Sequence, residues 1–359
     1  MFPHAQLGLV QEIAQARGLD TVILRSPAAL SWMTGARWHL QHDLHATTFD
    51  LVITGLDGGE HGVQVVTNVI EGPRLRAEEL SGLVGHWDVR ELPWTTPRPQ
   101  ALPTGPRVGA DLPLAGMVDL GPDLARVRRV LTPGQVARLT ALVHDAAAIV
   151  GLEASRSHPG EREWDVAARV RGALVAAGME PVVCLVGSGE RLDTVRHPLP
   201  TERRVTARLM ISISARRHGL LAAITRCVRW ADGVGERRYL DLLKVESRFL
   251  AASRPGRTLA AAFADGIAGY AAHGFAADEW TRHHQGGFTG FAPRELLATP
   301  DTDEPIELGA AVAWNPSAWG WKVEATSLVT AAGARPLDLC PGWPVVEVDG
   351  RTRPAILHL

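Results

Sequence analysis

Lysine is all but missing from these 359 residues: Lys244 and Lys322 stand alone, and arginine carries the remaining positive charge. Lysine and arginine number 37 against 39 acidic residues, for a formal net charge of −2. That balance excludes the strongly basic surface of a nucleic-acid or anionic-membrane binder. The run Arg126-Val127-Arg128-Arg129 reads as a solvated helix face. Cysteine is scarce too: Cys184, Cys227 and Cys340 are far apart and odd in number. Without a Cys-x-x-Cys pair or a Cys/His cluster, structural zinc and a disulfide framework are excluded. Cys184 and Cys227 lie in apolar, strand-like runs and are expected to be reduced and buried in a cytoplasmic protein. No apolar run approaches the roughly 20 residues that span a bilayer. Met1-Phe2-Pro3-His4 has neither the basic nor the apolar region of a signal peptide, so none is expected.

The length exceeds one ordinary core, and two domains are expected. The spacing of Leu7, Leu9, Val10, Ile13 and Ala14 predicts a helix over 5–17, stopped by Gly18. Strands are predicted over 21–24, 49–53 and 63–66. Ser31-Trp32-Met33-Thr34-Gly35 leads into a polar stretch with Arg37, His39, His42 and His45. The segment 93–122 is rich in proline (Pro93, Pro97, Pro99, Pro103, Pro106, Pro113) and suits loops near a domain boundary. Beyond it come helices over 134–152 and 163–177, separated by Pro159-Gly160, then strands over 181–186, 207–215 and 221–230. A tight turn at His218-Gly219 joins the last two. Helices over 236–253 and 258–272 follow, then strands over 310–314 and 327–330. The fold class is α/β (α+β), with a small α/β domain over 1–122 and a second domain over 123–359. The twofold order of helix, helix, strands hints at an internal duplication.

Histidine, glycine and carboxylate concentrate between 283 and 324. The stretch opens with His283-His284-Gln285-Gly286-Gly287-Phe288-Thr289-Gly290 and continues to Arg294-Glu295. It closes with Trp314-Asn315-Pro316 and Gly320-Trp321-Lys322-Val323-Glu324. Glycines let a backbone approach a ligand closely, and a histidine pair titrates near neutral pH. Each candidate also has a plainer reading. Glu295 suits a surface ion pair with Arg294, and Asn315 before Pro316 suits an Asx turn. Trp314, Trp319 and Trp321 suit core packing as well as a pocket wall. Arg37, His39 and His42 suit an exposed polar loop.

Four places, in the right order, resemble the creatinase and Xaa-Pro aminopeptidase family, the metallopeptidase-like proteins of the pita-bread fold. The helix, Pro159-Gly160, helix pattern is similar to the family's entry into its C-terminal domain. Residues 216–226, ending Ile224-Thr225-Arg226, resemble the hairpin written GY…DxTR. His284-Gln285-Gly286-Gly287 resembles the central His-x-x-Gly, and Gly320 to Thr326 resembles the final G-x-R-x-E-D-T. The N-terminal pattern ending in Thr34-Gly35 is similar to the family's small first domain. The resemblance implies a small creatinase-like domain followed by a pita-bread domain, and a homodimer.

It also implies a comparison of ligands. Active members hold two divalent metals with Asp, Asp, His, Glu and Glu. Counted from Thr225-Arg226, those positions here are Ser212, Ala223, His284, Asn315 and Glu324. One carboxylate and one imidazole do not neutralise two divalent ions, so no dinuclear metal site and no cofactor are expected. Creatinase, in the same family, is metal-free and cleaves a C–N bond with histidine and carboxylates. By that resemblance His197, in Arg196-His197-Pro198, is the expected general acid/base. Pro198 biases it to an extended backbone, Arg196 would lower its pKa, and Glu324 would orient or charge it. His284 joins these as catalytic; His283, Glu295, Asn315, Lys322, Arg37 and His39 are expected to bind a small-molecule substrate. C–N hydrolysis is the first expectation. A cyclisation, elimination or isomerisation on the same groups, an inactive module that binds a peptide or protein, and a mononuclear metal enzyme using His284, Glu324 and a second histidine remain alternatives.

Overall fold

The computed structural model describes residues 4–39, 47–83, 87–230, 235–318 and 320–359. It divides into two compact units, Met1–Arg128 and Arg129–Leu359.

The first unit is built on strands β1 (Thr21–Leu24), β2 (Asp50–Thr54), β3 (Gly62–Asn68), β4 (Trp87–Leu92), β5 (Val108–Ala110) and β6 (Val118–Asp119). They lie in the order β4-β3-β2-β1-β5-β6. All four residues of β1 are buried, because it pairs antiparallel with β2 on one side and parallel with β5 on the other. Ile23, Val52, Val66 and Leu92 contribute to the core beneath it. The proline-rich segment expected to be loops therefore supplies two strands; parallel pairing to β1 is a tertiary event that composition does not report. A further helix, Pro27–Thr34, went unpredicted although its signals are local. The Ser26 hydroxyl accepts from the Ala29 amide, proline opens the first turn, and Gly35 closes it at φ 70°.

The second unit holds β7 (Glu180–Ser188), β8 (Arg208–Arg217), β9 (Leu220–Arg229), β10 (Gly286–Thr289), β11 (Leu296–Leu297), β12 (Ala311–Trp314), β13 (Ser317–Ala318), β14 (Trp321–Lys322), β15 (Ala325–Thr330), β16 (Gly333–Pro336), β17 (Val345–Val348), β18 (Arg351–Pro354) and β19 (Leu357–His358). The main sheet runs β11-β10-β12-β15-β9-β8-β7, with β16 beside β15 and β19 beside β9. Two helix pairs precede the two halves of this sheet: Pro133–Ser155 with Glu163–Ala176, and Glu236–Ala252 with Leu259–Ala272. The halves meet where β9 touches β15, at the pair Ile224–Ala325. The β8–β9 turn places His218 and Gly219 both at positive φ (51° and 77°), the geometry of a two-residue hairpin. Thr132 and Gln135 form a reciprocal capping box on Pro133–Ser155. That 23-residue helix is, among the described residues, the one long and apolar enough by composition to cross a membrane. Leu139, Leu142, Val143, Ala146 and Val150 are nonetheless buried within this unit.

One expectation about charge fails. Arg128 and Arg129 are buried, whereas the basic run was read as a solvated face. Arg129 reaches Glu304 at 2.8 Å and stacks over Phe288, so its stem packs while its head stays paired. Behind β9 lies a closed ionic group. Asp338 accepts from Arg226 (2.9 Å) and Arg353 (2.8 Å), and Arg353 meets both oxygens of Glu246 at 2.7 and 2.8 Å. All four side chains are buried. Removing one member strands the others without water, which typically costs about 3–5 kcal/mol. Arg353→Ala is therefore expected to lower unfolding free energy by about that amount in urea titrations, whereas Arg162→Ala, on the exposed pair with Asp165, is expected to leave it almost unchanged.

Candidate active site

His197 lies on a loop that is clamped at both ends by one carboxylate. Glu163, fully buried, accepts from the Ser188 amide (3.0 Å), from Arg191 (2.7 Å) and from the Thr201 amide and hydroxyl (3.0 and 2.7 Å). The loop can therefore present His197 while its flanks stay fixed. Arg196 turns away from its neighbour: it pairs with the buried Glu279 and donates to the Ser317 hydroxyl at 3.1 Å. The expected lowering of the His197 pKa does occur, but its causes are burial first, then the Lys322 ammonium, opposed by Glu324. Arg196 spends its charge on Glu279 instead.

His283 and His284 stand immediately before β10. Gly286 and Gly287 occupy positive φ (111° and 148°), and a Cβ at either would strike a neighbouring strand, at Ala313 of β12 or Leu296 of β11. These glycines thus serve strand packing, where the sequence suggested close approach to a ligand. The packing carries the histidines inward. His283 Nε2 lies 2.8 Å from His197 Nε2, and the His283 and His284 rings stack at 4.5 Å and 23°. His283 is only 9 % exposed, and its Nδ1 is buried without a hydrogen-bond partner. Burial, then Lys322, then the other two histidines push the His283 pKa down to about 2. Burial, then Arg294 and Lys322, push His284 down to about 4. All three rings are neutral at pH 7.

Glu324 is buried and saturated. Its Oε2 meets Lys322 Nζ at 2.8 Å and accepts from the Ser212 hydroxyl at 3.1 Å and the Thr225 hydroxyl at 3.4 Å. Its Oε1 meets Arg294 at 3.0 Å. Burial alone would push this carboxyl up; Lys322 and Arg294 outweigh it and hold it at about 2. Lys322 Nζ also lies 3.2 Å from Ser212 Oγ. Glu324 therefore does not orient His197 by a hydrogen bond; of the two roles expected of it, only its charge reaches the ring, where it raises the pKa. Its oxygens are taken by cations and hydroxyls, and His283 is the ring's partner.

The dinuclear centre that the resemblance implies does not fit these residues. Ser212, Ala223 and Asn315 bring no charge, and the one carboxylate is already shared between two cations. The ring nitrogens of His197, His283 and His284 lie within 4.8 Å of one another, the one cluster of metal-type donors among the described residues. Ligands of a tetrahedral ion with bonds of about 2.0–2.1 Å sit about 3.4 Å apart, and a ligating histidine normally has an outer partner on its second nitrogen. His283 lacks that partner, its Nε2 is joined to His197, and Lys322 puts positive charge beside the rings. These three features weigh against a cation at the rings.

The remaining expected residues are placed as follows. Asn315 is 1 % exposed; its backbone N–H donates to the Gln285 carbonyl and its Oδ1 is buried without a partner. Glu295 accepts from the Phe291 amide at 3.0 Å, and Arg294 pairs with Glu324 where a pair with Glu295 was the plain reading. Trp314 stacks on Phe249 and donates to Ser253, and Trp321 packs on Tyr239, so both belong to the core. Trp319, His42 and His45 lie outside the described residues. Arg37 and His39 belong to the first unit, where Arg37 meets Glu79 at 2.7 Å and His39 packs against Trp38. Arg294, Ser212 and Thr225 are the members of the cluster that sequence reasoning missed as partners of Glu324. A buried carboxylate needs partners, so the need was legible, but the partners lie 30, 112 and 99 residues away.

No family model and no curated protein matches this sequence. Solved structures do match in shape. The dipeptidase PepE from Mycobacterium ulcerans superposes with a TM-score of 0.76 at 20 % identity, over 99 % of this chain and 97 % of that one. The prolidase from Pyrococcus horikoshii OT3 gives 0.75 at 16 % identity, over 94 % and 98 %. The N-terminal domain of FACT complex subunit SPT16 from Cicer arietinum gives 0.65 at 11 % identity, over 93 % and 95 %. The likeness is one of fold: this chain has the mixed α/β, pita-bread fold of Xaa-Pro dipeptidases and prolidases.

The histidine cluster has a consequence for stability. In the unfolded chain each imidazole takes a proton near pH 6.5. The folded chain resists until about 4 at His284 and about 2 at His283. Below 6.5 the unfolded state binds more protons, so stability falls with pH through that window. Glu324 keeps its charge there, since its own loss begins only below its ordinary value of 4.5. The urea midpoint is expected to drop between pH 7 and about 4.5, and the His283→Asn/His284→Asn double variant to flatten the slope. An unchanged slope would place the proton uptake elsewhere.

Proposed function

We propose that the chain is an acid–base enzyme on the pita-bread fold that acts on a small molecule without a divalent metal, with hydrolysis of a C–N bond as its reaction. One contact carries the reading. The Lys322 ammonium lies 2.8 Å from Glu324 and 3.2 Å from Ser212, two positions that the resemblance assigns to the metal cradle. A resident ammonium adds positive charge where divalent ions require anionic oxygens.

The neutral His197 ring is the exposed member of the histidine pair and has a lone pair for general-base work. It takes a proton from water as the water oxygen adds to the substrate carbon. It returns that proton to the departing nitrogen as the C–N bond breaks, and so ends as it began. Such a step contributes about 10²- to 10⁴-fold. Lys322 and Arg294 share one carboxylate, which leaves one positive charge unmatched in the group. That charge suits a substrate oxygen that turns negative in the transition state. The proposal carries a homodimer with it. A second reading, a binding module without turnover, is favoured by the closure of Glu324 between two cations.

Elemental mass spectrometry after incubation with manganese, cobalt or zinc and desalting is expected to find near-zero metal per chain. One or two retained equivalents would overturn the metal-free reading. Against a panel of N-acyl amino acids, ureas and guanidino acids, His197→Ala is expected to lose about 10²- to 10⁴-fold in turnover. Wild-type protein inert on every class would leave the binding module standing.

A further inference from the structure

The segment that carries His283 is tied to the His197 loop by one continuous run of buried and half-buried hydrogen bonds. The run begins at Glu279, on the short turn Glu279–Arg282 that delivers His283. Glu279 is 2 % exposed and binds Arg196, the residue before His197. Arg196 donates to Ser317 Oγ at 3.1 Å. The Ser317 amide donates to the Tyr270 hydroxyl at 3.2 Å, and that hydroxyl donates to Gln285 Oε1 at 2.7 Å. Gln285 Nε2 then donates to the Trp280 carbonyl at 3.0 Å and to the His283 carbonyl at 2.5 Å. The run thus leaves the histidine segment at Glu279, grips the His197 loop and β13, and comes back two residues past His283. Tyr270, Gln285 and Ser317 are buried as well.

Stability alone is a poor account of such a run. Buried polar groups are costly unless each is satisfied, and apolar side chains would fill the same space more safely. What the run does geometrically is fix the spacing of two segments that lie 86 residues apart in sequence at His197 and His283. We propose that Arg196, Glu279 and Tyr270 are positioning residues, a brace that holds the His197 imidazole against His283 without touching the reacting atoms. The inference rests on the catalytic assignment of His197 above. Displacing a catalytic group by about 1 Å costs on the order of 10²-fold in rate, so a brace of this kind has work to do in an acid–base site. Glu163 fixes the ends of the loop; the brace fixes its middle.

The test uses the full chain with Glu279→Gln, Tyr270→Phe and Arg196→Lys. Long-range proton–nitrogen spectra of the imidazoles report the tautomer and titration of His197, which faces Lys322, Glu324, His283 and His284, and thermal melting reports the fold. Glu279→Gln and Tyr270→Phe are expected to break the His197–His283 coupling. The His197 titration is expected to move up toward its ordinary range as the ring reaches water. Arg196→Lys, which keeps a cation opposite Glu279, is expected to retain the wild-type pattern in large part. Tyr270→Phe removes one hydroxyl while the ring keeps its packing on Phe275, so it folds even if Glu279→Gln does not. Variants that melt earlier yet keep wild-type imidazole spectra would overturn the proposal and leave a purely structural network. Because the spectra need no substrate, the two ideas fail separately. Loss of coupling in these variants alongside full turnover in His197→Ala would uphold the brace and sink the catalytic assignment.

Discussion

Lys322, Glu324 and Arg294 form the contact on which the second unit's centre depends. Glu324 stands beside the single β9–β15 pair where the halves of the sheet meet, and its carbonyl accepts from the Thr225 amide at 3.1 Å. Its side chain then gathers Ser212 from β8, Thr225 from β9, Lys322 from β14 and Arg294 from the loop before β11. A carboxylate so buried persists only with partners that replace its water. Two cations on one anion leave positive charge behind, and that charge helps to keep the neighbouring imidazoles neutral. The same contact closes Glu324 to any other task.

The histidines are held from outside this group. Glu163 grips both flanks of the His197 loop, and the chain from Glu279 through Arg196, Ser317, Tyr270 and Gln285 ties its middle to the segment of His283. Both devices use buried polar atoms that are satisfied by one another. Such networks specify a geometry more sharply than apolar packing does, because a shifted member loses a directional bond rather than sliding past a neighbour. The orphaned Nδ1 of His283 and Oδ1 of Asn315 are exceptions to this satisfaction.

The fold by itself stops short of an activity. It superposes on a dipeptidase, on a prolidase and on the N-terminal domain of a FACT complex subunit, all at 20 % identity or less. One scaffold hosts several functions, and the side chains mounted on it decide among them. Here the positions compared with metal ligands are mostly neutral, and a lysine from a chain with only two of them sits among the rest.

Much was legible from local chemistry. The stop at Gly18, the His218-Gly219 hairpin, the helices after Thr132 and Thr258 and the long strands of the second unit each follow from neighbours in sequence. So does the gathering of His283, His284, Lys322 and Glu324, which share one short region of chain. The partners were not legible. His197 meets His283 across 86 residues, and Thr225 meets Glu324 across 99. Arg129 is buried because Glu304 and Phe288 happen to face it, and Arg196 ignores His197 because Glu279 is nearer its reach. Sequence alone determined the longer helices and strands, the turns and the residue types available for chemistry, since backbone preferences and apolar spacing act over a few residues. Only the tertiary structure decided which charges neutralise which, because a buried charge chooses its partner by distance in space, and that distance is set by strand register and loop anchoring rather than by position along the chain.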